Sequence, residues 1–163
     1  MTESAAHSIR ACVITASTRA AAGEYADRSG PLLADGLQGL GIEVAPVIVV
    51  ADGDPVGAAL RAAVGAYDIV LTTGGTGLSP TDSTPEQTRP LLDREIPQLA
   101  AEIARAGVAK GVATAVLSRG LAGVANRTLV INLPGSRGGV RDAMEVLAPV
   151  LVHAVEQIRG GDH

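Results

Sequence analysis

The chain has 163 residues, a length that fits one domain, and its 13 basic and 17 acidic residues give a formal net charge of −4 at pH 7. Hydrophobic residues make up 47% of it, yet it has two tyrosines and neither phenylalanine nor tryptophan, so its core must be packed from Ala, Val, Leu and Ile. The negative charge and the absence of an arginine cluster argue against a nucleic-acid partner, and a ligand is not expected to stack on an aromatic ring.

The scarce residue types exclude further classes of site. Lys110 is the only lysine and is followed by Gly111, which excludes a Walker A phosphate loop. Cys12 is the only cysteine, so no internal disulfide can form, and three scattered histidines make no zinc site. Because residues 1–10 lack an apolar signal core and no stretch reaches the roughly 18 apolar residues of a membrane span, we expect a cytoplasmic protein without a membrane partner.

Strand and helix patterns alternate along the chain. Short β-branched runs predict strands at residues 9–16, 42–50, 68–72, 114–117 and 128–133. Apolar residues spaced three and four apart, together with capping signals, predict helices at residues 27–40, 55–64, 96–106 and 139–158 and another that starts at Pro85. The alternation predicts an α/β fold, a three-layer α/β/α sandwich with a mostly parallel central sheet. We expect one domain over residues 9–160 after a flexible N-terminus of residues 1–8.

A glycine-rich loop follows the third predicted strand, within YDIVLTTGGTGLSPTDSTPEQ at residues 67–87. Its glycines let a ligand approach the backbone closely, and several hydroxyl side chains accompany them. A helix that starts near Pro85 would direct free amides back at the loop, which suits phosphate. The candidate binding residues here are Thr73, Gly74, Gly75, Thr76, Gly77 and Ser79.

Asp82 lies in the same loop. It would repel a phosphate unless a divalent ion lay between them, which makes it a candidate Mg²⁺ ligand. The alternative from the residues alone is a strand-to-helix turn in which Asp82 is a local cap.

Other strand ends supply further candidates, because ligands of such sheets sit beyond the carboxyl ends of the strands. Asp52 could hold a metal or a ribose, or could simply form the turn of its DGDP sequence. Ser118 and Arg119 could bind a phosphate or be solvated surface. The amide of Asn132 could meet the edge of a heterocycle, although its sequence NLPGS is also typical of the entry to a helix.

Several motifs together resemble one known family. They are TTGGTGLSPTDSTPEQT at residues 72–88, LSRGLAGV at residues 117–124, NLPGS at residues 132–136, DRSGPLL at residues 27–33 and VVADGDP at residues 49–55. The set is similar, in order and over nearly the whole chain, to the Mog/MoaB family of molybdenum-cofactor biosynthesis proteins, and most to its actinobacterial Mog branch. The resemblance implies a compact α/β/α domain, usually a homotrimer, that binds molybdopterin.

The resemblance also implies an enzyme, a molybdopterin adenylyltransferase. It would transfer AMP from Mg-ATP to the terminal phosphate of molybdopterin and release pyrophosphate, and the product would pass to a molybdate-insertion enzyme. Asp82 falls on the family's catalytic aspartate and Asp52 on a second one, and both would help hold Mg²⁺. The glycine loop corresponds to the nucleotide- and pterin-phosphate loop, and the other matching residues are Ser118, Arg119, Asn132, Pro134, Gly135 and Ser136.

Two positions depart from the family pattern. Thr81 stands where most relatives have arginine, and Thr18 stands where they usually have aspartate or asparagine. Arg19 or Arg28 could replace the missing charge. Because of the departures at Thr81 and Thr18, the alternative function is a non-catalytic trimer that stores molybdopterin or presents it to a partner enzyme. A dinucleotide-binding oxidoreductase fits less well, because Pro80 stands where a GxGxxG pattern needs glycine.

Overall fold

The computed structural model describes residues 8–161. In this part of the chain one sheet contains the strands Arg10–Ala16 (β1), Glu43–Val44 (β2), Ile48–Val50 (β3), Ile69–Thr73 (β4), Arg94–Glu95 (β5), Ala122–Ala125 (β6) and Thr128–Leu133 (β7). The α-helices there are Thr18–Ala21 (α1), Ser29–Gly39 (α2), Asp54–Ala63 (α3), Thr84–Thr88 (α4), Pro97–Ala109 (α5), Arg137–Leu147 (α6) and Leu151–Ile158 (α7). The strand order is β2-β1-β4-β7-β6-β5, and β3 pairs with β1 further along the same edge as β2.

Three parallel strands form the middle of the sheet. β1 pairs with β4 and β4 with β7, so that Thr73 lies between Thr15 and Leu133. These strands are buried along almost their whole length, which explains their continuous apolar and β-branched runs. Their carboxyl ends consequently meet at one edge of the sheet, where ligands of such folds bind.

Alternate side chains of the central strands form two cores, one on each face of the sheet. On one face Leu71 of β4 belongs to a cluster that includes Leu37 of α2 and Leu147 of α6. On the other face Val70 packs in a cluster with Leu60 of α3. Fully burying a leucine of this kind contributes about 1.5–3 kcal/mol relative to leaving it exposed. The predicted three-layer α/β/α fold with a mostly parallel sheet is confirmed.

The prediction of a strand at residues 114–117 is wrong. Residues Ala113–Leu117 form a 3-10 helix that packs on α5, where an added Cβ on Gly107 would lie only 2.7 Å from the Cβ of Ala115. Val116 and Leu117 are 67% and 49% exposed, so this apolar run is not buried as a central strand would be. The place in the sheet is taken by β6, which pairs antiparallel with β7 and had no strand signal in its sequence AGVA.

Three other segments differ from the elements that the sequence predicts. The predicted strand at residues 42–50 is two strands separated by Ala45–Val47, which includes Pro46. The predicted helix at residues 139–158 is interrupted around Pro149, which lacks an N–H and cannot continue the hydrogen-bond ladder. The predicted loop after β1 contains α1, which Ser17 caps by accepting a hydrogen bond from the amide of Ala20 at 3.2 Å.

Two points concern the limits of the described chain. Residues 1–7 of the segment predicted to be flexible lie outside it. Among residues 8–161, no helix has both the length and the apolar character needed to cross a membrane.

Candidate functional site

A cavity of about 600 Å³ opens where β4 and β7 end. Its polar wall comes from the glycine loop after β4 and the turn after β7, whereas α5 and the following 3-10 helix supply apolar side chains. Of the predicted site residues, those that line it are Gly74, Gly75, Thr76, Gly77, Asp82, Ser118, Asn132, Pro134, Gly135 and Ser136. The cavity therefore combines exposed backbone with an apolar wall of a kind that could hold a flat heterocycle.

The glycine loop is held tightly against the strand ends. Gly74 and Gly75 have φ angles of +93° and +70°, and an added Cβ at Gly74 would lie 2.4 Å from the carbonyl oxygen of Ala16. The hydroxyl of Thr84 donates to the carbonyl of Gly74 at 3.0 Å, and its amide donates to the carbonyl of Gly75 at 3.0 Å. Only glycine fits this path at both positions.

The loop also has unused donors. Within the described residues, the amides of Gly75, Thr76 and Gly77 donate no hydrogen bond. Consecutive free amides of this kind form a concave surface that binds an anion such as phosphate.

Asp82 lies at the far end of the loop and faces the cavity. Its Oδ2 accepts a hydrogen bond from the amide of Ser79 at 3.1 Å and would lie 2.8 Å from an added Cβ on Gly77. Ser79 is thus part of the turn that presents Asp82, and it does not line the cavity itself. The carboxylate caps the local turn, as one alternative predicted, and still borders the cavity.

Asp52 reaches the same loop from the end of β3. Thr18 fixes it, because the amide and the hydroxyl of Thr18 donate to Asp52 Oδ2 at 3.2 and 3.0 Å, and the amide of Asp52 donates to the Thr18 hydroxyl at 3.1 Å. Asp52 Oδ1 would lie 3.3 Å from an added Cβ on Gly75. Asp52 is not among the residues that line the 600 Å³ cavity. The two carboxylates therefore lie near different glycines of the loop, Asp52 near Gly75 and Asp82 near Gly77.

Each of the two carboxylates keeps an oxygen that could bind a cation. Within residues 8–161, neither aspartate forms an ion pair, and Oδ1 of each accepts no hydrogen bond. No group of three or more His, Cys, Asp or Glu side chains in this part of the chain could hold a metal alone. Mg²⁺ is commonly held by one or two carboxylates, with substrate phosphates and water completing its shell.

Arg119 holds the loop in place and does not line the 600 Å³ cavity. Its guanidinium donates to the carbonyls of Gly77 at 2.9 Å and Asp82 at 3.0 Å and pairs with the carboxylate of Glu86. Its amide donates to the carbonyl of Thr76 at 2.8 Å. The side chain predicted to bind phosphate thus spans the loop that carries Asp82.

Ser118 and Thr76 connect the same two segments. The Ser118 hydroxyl donates to the hydroxyl of Thr76 at 3.2 Å, and both residues line the cavity. This contact brings the motif at residues 117–124 to the glycine loop, although Ser118 follows a 3-10 helix and not the strand end at which it was predicted.

Asn132 has no free donor for a ligand. Its amide nitrogen donates to the hydroxyls of Thr72 and Thr88, each at 3.0 Å, and its Oδ1 accepts from the amide of Leu121 at 3.1 Å. The residue is 4% exposed. Because both amide protons are used, its side chain serves to join β7 to β4 and α4.

The turn after β7 positions the start of α6. The carbonyl of Pro134 accepts from the Thr73 hydroxyl at 2.7 Å, and the carbonyl of Gly135 accepts from the Ser29 hydroxyl at 2.7 Å. Ser136 caps α6 by accepting from the amide of Gly139 at 3.0 Å. Thr73 and Ser29 are buried, so their hydroxyls stabilise the turn.

A second cavity, of about 500 Å³, lies on the other side of this turn, where β1 ends. It shares Gly74, Gly135 and Ser136 with the first cavity. Arg28 and Arg137 line it. The sequence indicated Arg28 only as a side chain that could replace the charge missing at Thr81, and it did not indicate Arg137. The signal that could have identified Arg137 is its position directly after the NLPGS motif.

Comparison with known proteins gives the family. Residues 12–153 match the family described as a probable molybdopterin binding domain. A molybdopterin adenylyltransferase from Helicobacter pylori (strain J99) is 36% identical over 153 residues, which cover 91% of this chain and 86% of the relative. The chain belongs to the Mog/MoaB family. The resemblance predicted from the motifs is therefore confirmed.

Solved structures agree with the assignment. The molybdopterin biosynthesis Mog protein from Mycobacterium ulcerans has a TM-score of 0.87 and 56% identity, with 93% of this chain and 99% of that chain covered.

A molybdenum cofactor biosynthesis bifunctional protein from Chlorobaculum tepidum is 38% identical over 157 residues, which are 94% of this chain and 50% of the relative. The chain thus spans about half the length of that relative.

Proposed function

We propose that this Mog/MoaB family member is a molybdopterin adenylyltransferase that works in molybdenum cofactor biosynthesis. It would bind molybdopterin and transfer AMP from Mg-ATP to the terminal phosphate of the pterin. The observation that carries the proposal is the pair Asp52 and Asp82, whose carboxylates lie near Gly75 and Gly77 of one loop and form no ion pair within the described residues. Relatives of similar length that are named molybdopterin adenylyltransferase support it.

The proposed reaction needs positioning and charge neutralisation. An oxygen of the pterin's terminal phosphate attacks the α-phosphorus of ATP, the bond from that phosphorus to the bridging oxygen breaks, and pyrophosphate leaves with the electron pair. The attacking phosphate is already largely ionised at neutral pH, so the protein does not have to supply a general base. Phosphoryl-type transfers of this kind are catalysed mainly by fixed dipoles and cations.

The residues divide this work between them. The amides of Gly75, Thr76 and Gly77 would bind phosphate oxygens, and Arg119 keeps the loop in shape through the carbonyls of Gly77 and Asp82. Asp52 and Asp82 would hold the Mg²⁺ that accompanies ATP, and this ion would supply positive charge next to the transferred phosphate. The apolar wall of the 600 Å³ cavity would hold a heterocycle and exclude water.

Release of pyrophosphate from purified protein with molybdopterin, ATP and Mg²⁺ tests the proposal. We expect Asp82→Ala and Asp52→Ala each to lower the rate by about 10²-fold or more, as for the loss of one preorganised electrostatic group. Asp35→Ala is the control, because Asp35 is exposed on α2 away from both cavities. Unchanged activity in Asp82→Ala would show that the proposed mechanism is wrong.

The second candidate is a non-catalytic protein that binds molybdopterin and presents it to a partner enzyme. Thr81 favours it, because within residues 8–161 the only hydrogen bond of this side chain is to the hydroxyl of Ser79, at 3.3 Å, and the side chain adds no charge to the loop. Thr18, the other departure, favours catalysis instead, because it holds Asp52 through three hydrogen bonds. Binding of molybdopterin without pyrophosphate release in the same assay would select the non-catalytic function.

The proposal includes a homotrimer, a cytoplasmic location and a molybdate-insertion enzyme that receives the product. Sedimentation equilibrium tests the assembly, and the expected particle mass is three times the chain mass of 16.4 kDa. A particle with the mass of one chain would contradict it.

A further inference from the structure

We propose that Arg28 and Arg137 form an anion-binding subsite in the second cavity that takes phosphate groups of the reacting substrates beyond those bound by the glycine-loop amides. The inference deepens the proposed function and rests on it for the identity of the substrates. The subsite itself rests on the charges of the two cavities, on the availability of the two guanidinium groups and on the shape of the turn between the cavities.

The two cavities differ in the charged residues that line them. Among residues 8–161, two carboxylates line the 600 Å³ cavity, those of Asp82 and Asp142, and no basic residue does. The 500 Å³ cavity is lined by Arg28, Arg137 and one carboxylate, that of Asp27. A ligand with an uncharged ring and a polyanionic end would therefore place the ring in the first cavity and the anion towards the second.

The guanidinium groups of Arg28 and Arg137 are available for a ligand. Within residues 8–161 neither side chain forms an ion pair or a hydrogen bond. Arg19, which lies nearby in sequence, is occupied, since it pairs with Glu24 at 3.1 Å and lies over the ring of Tyr25. Arginine presents paired N–H groups that match two phosphate oxygens at once.

The carboxylate of Asp27 accepts hydrogen bonds from groups of the protein and forms no ion pair with either arginine within the described residues. Its Oδ1 accepts from the amide of Gly30 at 3.1 Å, and its Oδ2 accepts from the hydroxyl of Thr15 at 2.8 Å. Both of its oxygens are thus used in fixing the start of α2 beside β1. This leaves two positive groups and one hydrogen-bonded carboxylate around the cavity.

The turn between the cavities is narrow and consists largely of closely packed backbone, which would let a chain of phosphates pass over it. Gly74, Gly135 and Ser136 border both cavities, and an added Cβ on Gly135 would lie 3.2 Å from Cα of Gly74. Two of these three residues are glycines, so the only side chain at the border is that of Ser136, whose hydroxyl accepts from the amide of Gly139 within the described residues. The first amides of α6, those of Arg137 and Gly138, donate no hydrogen bond within the described residues and add donors at this point.

Titration calorimetry with inorganic pyrophosphate tests the subsite without any chemistry. We expect Arg28→Ala and Arg137→Ala each to weaken binding at least about tenfold, as for loss of a hydrogen bond to a charged group, and the lysine variants to lose less. Arg141→Ala is the matched control. Arg141 is an exposed arginine on the same helix, α6, and it lines neither cavity. Affinity should also fall with added salt in the wild type more than in the double alanine variant.

Competition identifies the source of the phosphate. Displacement of pyrophosphate by ATP assigns the subsite to the nucleotide, and displacement by molybdopterin assigns it to the pterin phosphate. Failure of both to compete would overturn the assignment to the substrates. Equal pyrophosphate affinity in wild type and in both alanine variants, or no binding by the wild type, would overturn the subsite.

The two proposals can fail separately. A wild type that binds pyrophosphate through both arginines but releases none from ATP would keep the subsite and contradict the adenylyltransferase. A protein that adenylylates molybdopterin, but whose affinity for pyrophosphate does not depend on either arginine, would support the adenylyltransferase and contradict the subsite.

Discussion

Replacing Gly74 or Gly111 by alanine would strain a left-handed backbone in both cases, but only at Gly74 would the added methyl group also clash with a neighbouring strand. Both have a φ of +93°, but an added Cβ at Gly74 would lie 2.4 Å from the Ala16 carbonyl oxygen, whereas nothing lies within 4 Å at Gly111. We expect Gly111→Ala to cost about 1–2 kcal/mol of unfolding free energy from the left-handed backbone alone. Gly74→Ala should cost at least about 1 kcal/mol more, because the neighbouring strand must also move.

Urea denaturation of the two variants measures this difference. Both substitutions add the same methyl group at the same φ, so each serves as the control of the other. Equal loss of stability in the two variants would show that the close approach of the loop to β1 is unimportant for the fold.

The pair between Arg119 and Glu86 should make stability depend on acid pH. The hydrogen bond from Arg119 holds the pKa of Glu86 below its ordinary value of about 4.5. A carboxyl with a lowered pKa in the folded protein adds stability above its ordinary pKa, and that addition is lost as the pH falls through the lowered value. The effect is expected to be small, because the Glu86 side chain is 57% exposed.

The measurement compares wild type with Glu86→Gln in urea between about pH 3 and pH 7, a range that brackets the ordinary carboxyl pKa. The stability advantage of the wild type should be constant above about pH 5 and should shrink on acidification, as linkage requires. The same pH profile in both proteins would contradict the role of this pair.

At the residue scale the sequence predicted that a glycine loop carrying Asp82 follows a buried strand, because glycines and a carboxylate at such a place have a local signature. It did not predict that Arg119 would bind loop carbonyls or that Asn132 would be fully hydrogen-bonded. The carbonyl partners of Arg119 and the hydroxyl partners of Asn132 are 37 to 60 residues away along the chain, so no local pattern identifies them. Arg28 and Arg137 were missed as a pair for the same reason.

The hairpin between β6 and β7 can be stabilised at one position. Its turn consists of Asn126 and Arg127, with φ angles of +44° and +68°. Turns of this shape favour glycine at the second position, because a side chain there strains the backbone. We expect Arg127→Gly to raise the unfolding free energy by about 0.5–1 kcal/mol, measured by urea denaturation.

Arg127→Ala is the control for the hairpin. Like Arg127→Gly it removes the guanidinium, but it keeps the Cβ that strains the left-handed backbone, so its stability should stay close to that of the wild type. A gain of equal size in both variants would point to the charge of Arg127 in place of its backbone conformation.

The same hairpin shows which elements the sequence could predict. The central strands and α2, α3 and α5 have β-branched runs or helical spacing over enough residues to be recognised. β6 is four residues of Ala, Gly and Val, and its turn lacks the Asn-Gly signal of a hairpin. Its strand conformation comes from pairing with β7, which is tertiary information.

At the scale of the whole molecule, the alternation of strands and helices was sufficient to predict the layers. A parallel sheet needs helices on both faces, and both apolar clusters were implied by strands without polar alternation. The position of the site followed from the same rule, since parallel strands bring their carboxyl ends to one edge. The second cavity could not be foreseen, because its size depends on how α1, α2 and α6 surround the end of β1.

Cys12 should report the global unfolding of the molecule. It is fully buried in β1, beside Val70 of β4, and burial raises the pKa of its thiol, so both access and ionisation oppose its reaction. Because exposure requires the central strands to separate, labelling by a disulfide reagent should be slow in native buffer, and the opening free energy derived from labelling in increasing urea should match that of global unfolding by circular dichroism. Full denaturation should release one reactive thiol per chain, which calibrates the reaction. Rapid labelling that does not depend on urea would mean that β1 opens locally, and the central sheet would then not unfold as one cooperative unit.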